Sequence, residues 1–185
     1  MKRAKVSASA GERGFTLIEL LVVVTIIAIL AVAFAFDYSG WMGRYNIESE
    51  IKQIQGDLLY ARTKAMASSR YYFFFFPTAT TYTIYADTNP GPDGNGTLET
   101  GANSDTQLPG FPRPPLRYPV TWAGGNVVFD GKGFLTASAI TITPNTPGII
   151  SVASTYNPDY NCILLTNSKI NIGQLTPDGT NCIVK

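Results

Sequence analysis

The chain has 185 residues, room for one modest domain and an additional element, and its 14 Lys and Arg against 13 Asp and Glu lie scattered along it instead of forming the basic stripe of a nucleic-acid binder. It contains no histidine, which removes the commonest general base and the commonest metal ligand. With no Gly-x-Ser-x-Gly and no phosphate-cradling loop either, no enzymatic activity is expected.

Residues 1–14 carry Lys2, Arg3, Lys5 and Arg13 against Glu12, and a nearly unbroken apolar run extends from Phe15 to Phe36. As a helix this run would be about 33 Å long, enough to cross a bilayer core. The basic flank predicts a cytoplasmic N-terminus and export of everything after Phe36. The run is longer than the core of a secretory signal, and no small-residue cleavage site ends it before Asp37. Glu19 stands inside it. A carboxylate there costs on the order of 2–3 kcal/mol in a membrane and calls for a partner.

The segment Arg13-Gly14-Phe15-Thr16-Leu17-Ile18-Glu19 resembles the processing site of type IV prepilins and type II secretion pseudopilins. The resemblance implies cleavage after Gly14 by a prepilin peptidase, loss of residues 1–14 as a cytoplasmic leader, and N-methylation of Phe15. It also implies that Glu19 pairs with the Phe15 ammonium of a neighbouring subunit. At about 4 Å such a pair attracts by roughly 4 kcal/mol at intermediate dielectric, which offsets the burial of the acid and sets subunit register. The implied partners are other pilin or pseudopilin subunits, the peptidase, and an inner-membrane assembly platform with its ATPase. The implied location is the bacterial inner membrane, as a single pass with the C-terminal domain in the periplasm, followed by the filament.

Beyond the apolar run, Ile47, Ile51, Ile54, Leu58, Ala61 and Ala65 recur at steps of four and three, with Arg44, Glu48, Glu50, Lys52, Asp57 and Lys64 between them. This predicts an amphipathic helix over residues 37–70. No proline occurs in residues 15–76, so the transmembrane segment 15–36 and the amphipathic one join into a stem of about 55 residues and about 80 Å. Many pilins carry a proline partway along the stem. Here Gly40 and Gly43 serve either as local loosening points, each weakening helix by roughly 1 kcal/mol, or as sites of close packing. The stretch from Asp57 through Ala61-Arg62-Thr63-Lys64-Ala65 into Tyr71–Phe76 resembles the end of the stem in the GspH/FimT group of minor pseudopilins and pilins.

Residues 71–185 are rich in aromatic residues, Thr, Gly, Pro and Asn, the composition of short strands and turns. The predicted strands are Tyr71–Phe76, Thr80–Ala86, Asn126–Phe129, Gly133–Thr143, Gly148–Thr155, Cys162–Thr166, Lys169–Gly173 and Asn181–Val184. The fold class expected is α+β: a long N-terminal helical stem packed on a small antiparallel β-sandwich, as in pilins. The first strand does not alternate, which suits burial on both faces.

Asp87, Asn89, Asp93, Asn95 and Glu99 place oxygen ligands at intervals that echo a Ca2+ loop. Pro90 and Pro92 stretch that spacing away from an EF-hand, and a β-turn loop explains the same residues. Residues 101–119, rich in Pro and Gly, read as a surface loop. Cys162 and Cys182 are the only cysteines; in an exported domain the pair predicts a disulfide, and the lack of Cys-x-x-Cys spacing argues against a redox role.

The function expected is that of a structural subunit, and a minor one, of a type IV pilus or a type II secretion pseudopilus. The alternative is a filament-tip binding module, either an adhesin or a DNA-uptake receptor. For DNA the signals are poor: Gln174 to Lys185 offers only Lys185, and loss of residues 1–14 leaves a net negative chain.

Overall fold

One helix, α1, runs over Leu17–Ser68. Proline-free sequence permits it, and its end is set by Ser69, which adopts a left-handed conformation (φ 54°) while Arg70 N–H reaches back to the Ala65 carbonyl at 3.3 Å. That is the Schellman way of satisfying the last carbonyls, with serine where glycine is usual. The computed structural model describes residues 14–92, 94–101, 104–143 and 145–185, without the side chains of 33–37 and 39. The leader expected at 1–14 therefore lies outside the described residues except for Gly14. Two compact units divide after Gly40, one being Met1–Gly40 and the other Trp41–Lys185.

In the first unit the large apolar residues from Phe15 to Val32 are each at least 47% exposed. Among the described residues no helix is long and apolar enough to cross a membrane; the span expected at 15–36 runs into residues 33–36, whose side chains are outside that set.

In the second unit the helix carries one buried stripe: Ile47, Ile51, Ile54, Leu58, Ala61 and Ala65 are all fully buried, and the four-and-three spacing is what puts them on one side. Nine strands follow among the described residues. β1 (Tyr72–Thr78), β2 (Thr81–Ala86), β3 (Thr106–Gln107), β4 (Val127–Phe129) and β5 (Leu135–Ala137) form an antiparallel sheet in the order β3-β2-β1-β4-β5. β6 (Gly148–Ser151), β7 (Cys162–Leu165), β8 (Ile170–Leu175) and β9 (Cys182–Val184) form a second antiparallel sheet in sequential order. Phe74, Ile84 and Phe129 of the first sheet and Ile150, Ile163 and Leu165 of the second join the helix stripe in one core. The sheets are also linked at Asn167, whose carbonyl accepts from Leu135 N–H at 2.8 Å. The class is α+β with antiparallel sheets.

Several boundaries differ from expectation. The strand expected over Gly133–Thr143 is only Leu135–Ala137, because its partner β4 is three residues long and the chain then sends Ile142 into the core. β3 was not foreseen, being two residues inside the region expected as loop. β1 is buried on both faces only at Tyr72, Phe73 and Phe74, and opens outward from Phe75.

The described residues of the surface loop expected over 101–119 are anchored to the sheet and the helix at several points. Leu108, Leu116 and Val120 are buried, and their N–H groups donate to the carbonyls of Ile84, Thr80 and Ala79. Two helix acids hold this strap. Glu50 accepts from Arg117 N–H at 2.7 Å and from Tyr118 N–H at 3.4 Å. Asp57, one of the polar residues between the apolar ones, is only 6% exposed, because it borders the apolar stripe beside Leu58. It takes two hydrogen bonds from the Arg113 guanidinium, at 2.7 and 3.0 Å, and one from the Tyr82 hydroxyl at 2.7 Å. Burial and the Asp57 carboxylate push the Tyr82 phenol far above its usual pKa, so it stays a donor. The hydrogen bond to Asp57 likewise raises the Arg113 pKa.

Gly40 and Gly43 are not equivalent. A Cβ at Gly43 would lie 2.7–2.8 Å from the Tyr156 ring, whereas a Cβ at Gly40 meets nothing within 4 Å. Close packing therefore accounts for Gly43 and not for Gly40.

Two measurements check these packing arguments in urea unfolding of the full chain in detergent. Asp57→Ala leaves both the Arg113 charge and the Tyr82 hydroxyl without their acceptor and should lose about 2–3 kcal/mol, with Arg113→Ala losing clearly less; equal losses would discount the Tyr82 bond. Gly43→Ala should destabilise by about 1 kcal/mol through overpacking, while Gly40→Ala should stabilise by up to about 1 kcal/mol. The same sign for both would contradict the packing distinction.

Candidate functional site

Gly14 is exposed and open: a Cβ built there would meet nothing within 4 Å. Phe15 next to it is 82% exposed. Helix α1 begins two residues later, with Glu19 in its first turn. Thr16 caps it, its hydroxyl accepting from Glu19 N–H at 3.3 Å while its carbonyl takes the Leu20 N–H at 3.2 Å. Thr16-x-x-Glu19 is thus a capping-box sequence with its threonine half formed. An acid in the first turn is also favoured by the helix dipole, by about 0.3–1 kcal/mol. Glu19 therefore has a local helix-starting role that the burial-cost argument overlooked, although Thr-x-x-Glu was visible in the sequence.

The second cluster lies on the connection from β2 to β3. Asp87 is fully buried and Asp105 is 3% exposed; together with Glu99 they offer carboxylate oxygens that lie within 4.8 Å of one another. Asp87 accepts from Asn95 N–H at 3.2 Å and from Gly96 N–H at 2.7 Å. Asp105 accepts from the N–H groups of Thr88, Asn89 and Glu99 at 2.9–3.1 Å. Glu99 Oε1 accepts from the Asn95 amide at 2.7 Å and the Thr97 hydroxyl at 2.6 Å. Desolvation raises the Asp87 pKa; the two N–H groups oppose this, and the charges of Asp105 and Glu99 add to it. The Thr97 and Asn95 hydrogen bonds lower that of Glu99.

Of the five residues expected in a calcium loop, the structure brings Asp87 and Glu99 together. Asn89 contributes its N–H to Asp105. Asn95 turns its amide oxygen to the N–H and hydroxyl of Thr97, at 2.8 and 2.6 Å, and so organises the loop. Asp93 lies outside the described residues. Asp105 was missed: it sits six residues beyond Glu99, and the pairing of β2 with β3 that returns it to Asp87 leaves no local signal.

Cys162, on β7, and Cys182, on β9, form a disulfide with a sequence separation of 20. Since β8 lies between these strands, the bond ties the last strand across its neighbour. Lys185 at the end of the chain pairs with Asp159 at 2.7 Å.

Residues 9–35 match the family model of the prokaryotic N-terminal methylation motif. No curated protein and no solved structure matches the chain. The motif supports a type IV pilin-like protein, with prepilin processing, assembly into a filament, and contact with other pilins and a prepilin peptidase.

Closing a loop of this length should stabilise the fold by about 3 kcal/mol. The double variant Cys162→Ala, Cys182→Ala should lose about that much in urea unfolding, and thiol labelling of unreduced, denatured wild type should find no free thiol. Two labelled cysteines per chain would refute the bond.

Proposed function

We propose that this chain is a non-catalytic structural subunit, and a minor one of the GspH/FimT type, of a type IV pilus or a type II secretion pseudopilus. It is inserted in the bacterial inner membrane with its N-terminus in the cytoplasm and its β-rich unit in the periplasm. After cleavage at Gly14 it enters the filament through helix α1. The assembly platform and its ATPase drive that step. The observation that carries this reading is the methylation motif lying on an open Gly14–Phe15 segment followed by an exposed apolar helix start. The minor-subunit assignment rests on the Ala61-Arg62-Thr63-Lys64-Ala65 helix end running into the buried start of β1. A DNA-uptake role is disfavoured because Lys185, the one cation of Gln174–Lys185, already faces Asp159.

Glu19 separates the two roles that its position allows. Glu19→Gln keeps a residue fit for the capping box and removes the charge that a neighbour's Phe15 ammonium would need. Mass spectrometry should show both wild type and Glu19→Gln beginning at a methylated Phe15. The variant should remain in the membrane fraction and drop at least about tenfold in sheared filaments, which corresponds to about 1.4 kcal/mol or more of lost subunit attraction. An uncleaved Met1 start in cells with an active prepilin peptidase would overturn processing. Glu19→Gln entering filaments like wild type would leave helix capping as the task of Glu19.

A further inference from the structure

We propose that Asn95 is an acceptor for an N-linked glycan on the connection between β2 and β3. Asn95-Gly96-Thr97 is the single Asn-x-Ser/Thr triplet of the sequence, the pattern to which sugars are attached on exported chains. Asn95 and Thr97 are both exposed. The neighbours of Asn95 on either side are glycines, so no adjoining side chain screens its amide. The inference rests on the export of the β-rich unit proposed above.

The triplet is folded so that its third residue serves its first. Asn95 Oδ1 accepts from Thr97 N–H at 2.8 Å, an Asx-turn, and the Thr97 hydroxyl lies 2.6 Å from the same oxygen. That hydroxyl is also 2.6 Å from Glu99 Oε1, and its one proton serves one of the two acceptors at a time. Asn95 Nδ2 donates one hydrogen to Glu99 Oε1 at 2.7 Å and has a second to be replaced. Hydrogen bonds polarise one another, so the carboxylate enriches that nitrogen in electron density. The buried Asp87 draws the N–H groups of Asn95 and Gly96 inward, at 3.2 and 2.7 Å, which turns the backbone in and leaves the Asn95 side chain outside. Gly94 permits this approach: its φ is 80°, and a Cβ there would fall 1.9 Å from Asp87 Oδ1.

The co-reactant is a sugar carried on a lipid pyrophosphate, and a transferase of the exported compartment brings it to the turn. The bond from Asn95 Nδ2 to the anomeric carbon forms, the bond from that carbon to the pyrophosphate oxygen breaks, the pyrophosphate leaves on its lipid, and one amide proton passes to solvent. Nothing is oxidised or reduced. The attached glycan would stand on the loop leading to β3, the edge strand of its sheet, where a bulky solvated group shields open backbone groups from pairing with another chain.

The test uses the full chain purified in detergent from the cells that produce it, with free thiols alkylated at lysis. Peptide mass spectrometry, with a fragmentation that keeps sugars attached, should find the Asn95 peptide shifted by whole sugar residues and place the added mass on Asn95. Asn95→Gln and Thr97→Val should each lose the shift, whereas Thr97→Ser, which keeps the hydroxyl, should retain it. All three variants should still hold the disulfide between Cys162 and Cys182, which marks them as folded and exported. An unmodified Asn95 in wild-type chains whose two cysteines are bonded would overturn the glycan and leave export standing. Alkylated cysteines together with an unmodified Asn95 would overturn export, and the glycan with it. Sugar found only on Ser or Thr hydroxyls, or Thr97→Val modified like wild type, would also overturn the assignment.

Discussion

The β-rich unit depends on one seam: the stripe Ile47, Ile51, Ile54, Leu58, Ala61 and Ala65 of α1, buried without remainder. Neither sheet has another described helix to cover its inner face, and small sheets are marginal without such a partner. Phe74 and Ile84 reach the seam from the five-stranded sheet, and Ile150, Ile163 and Leu165 reach it from the four-stranded one. The helix is therefore the shared floor of both sheets, and loss of any large residue along it would open a cavity felt by both.

Two buried acids show how differently the same electrostatic difficulty is met. Asp57 lies under the strap and is matched by a guanidinium and a phenol, partners that arrive from distant parts of the chain and fasten them. Asp87 is as deeply buried, but its listeners are backbone N–H groups of its own loop, and its nearest charges are two more carboxylates. The first arrangement is electrically complete and serves packing. The second is rigid yet short of positive charge, and backbone dipoles alone offset the burial.

The helix seam was legible in the sequence because six apolar residues at steps of four and three admit hardly another reading. Most strands were legible from aromatic and β-branched clusters between turn residues. Asp57 was not, since periodicity marks which side of a helix is apolar but not how far a neighbouring element overlaps its border. The strand expected over Gly133–Thr143 was overextended because Thr and Ile favour strands whether or not a partner strand is present. In the N-terminal segment, Thr16-x-x-Glu19 was readable as a helix cap. Asp105 had no such signal, as its place beside Asp87 exists only once β3 has paired with β2.

The strap between Leu108 and Val120 shows how a chain segment can be fixed in place while its outward chemistry stays open. Its anchoring donors are the main-chain N–H groups of Leu108, Leu116, Arg117, Tyr118 and Val120, and its prolines at 109, 112, 114, 115 and 119 fall between them, where no donor is required. Any residue but proline can supply an N–H. The exposed Arg117 is held by its backbone alone, so its side chain is free to diversify on a frame set by Glu50. Pro112, Pro114, Pro115 and Pro119, also exposed, stiffen that frame from outside. Variation at such a position would change what the surface presents without changing where the surface is.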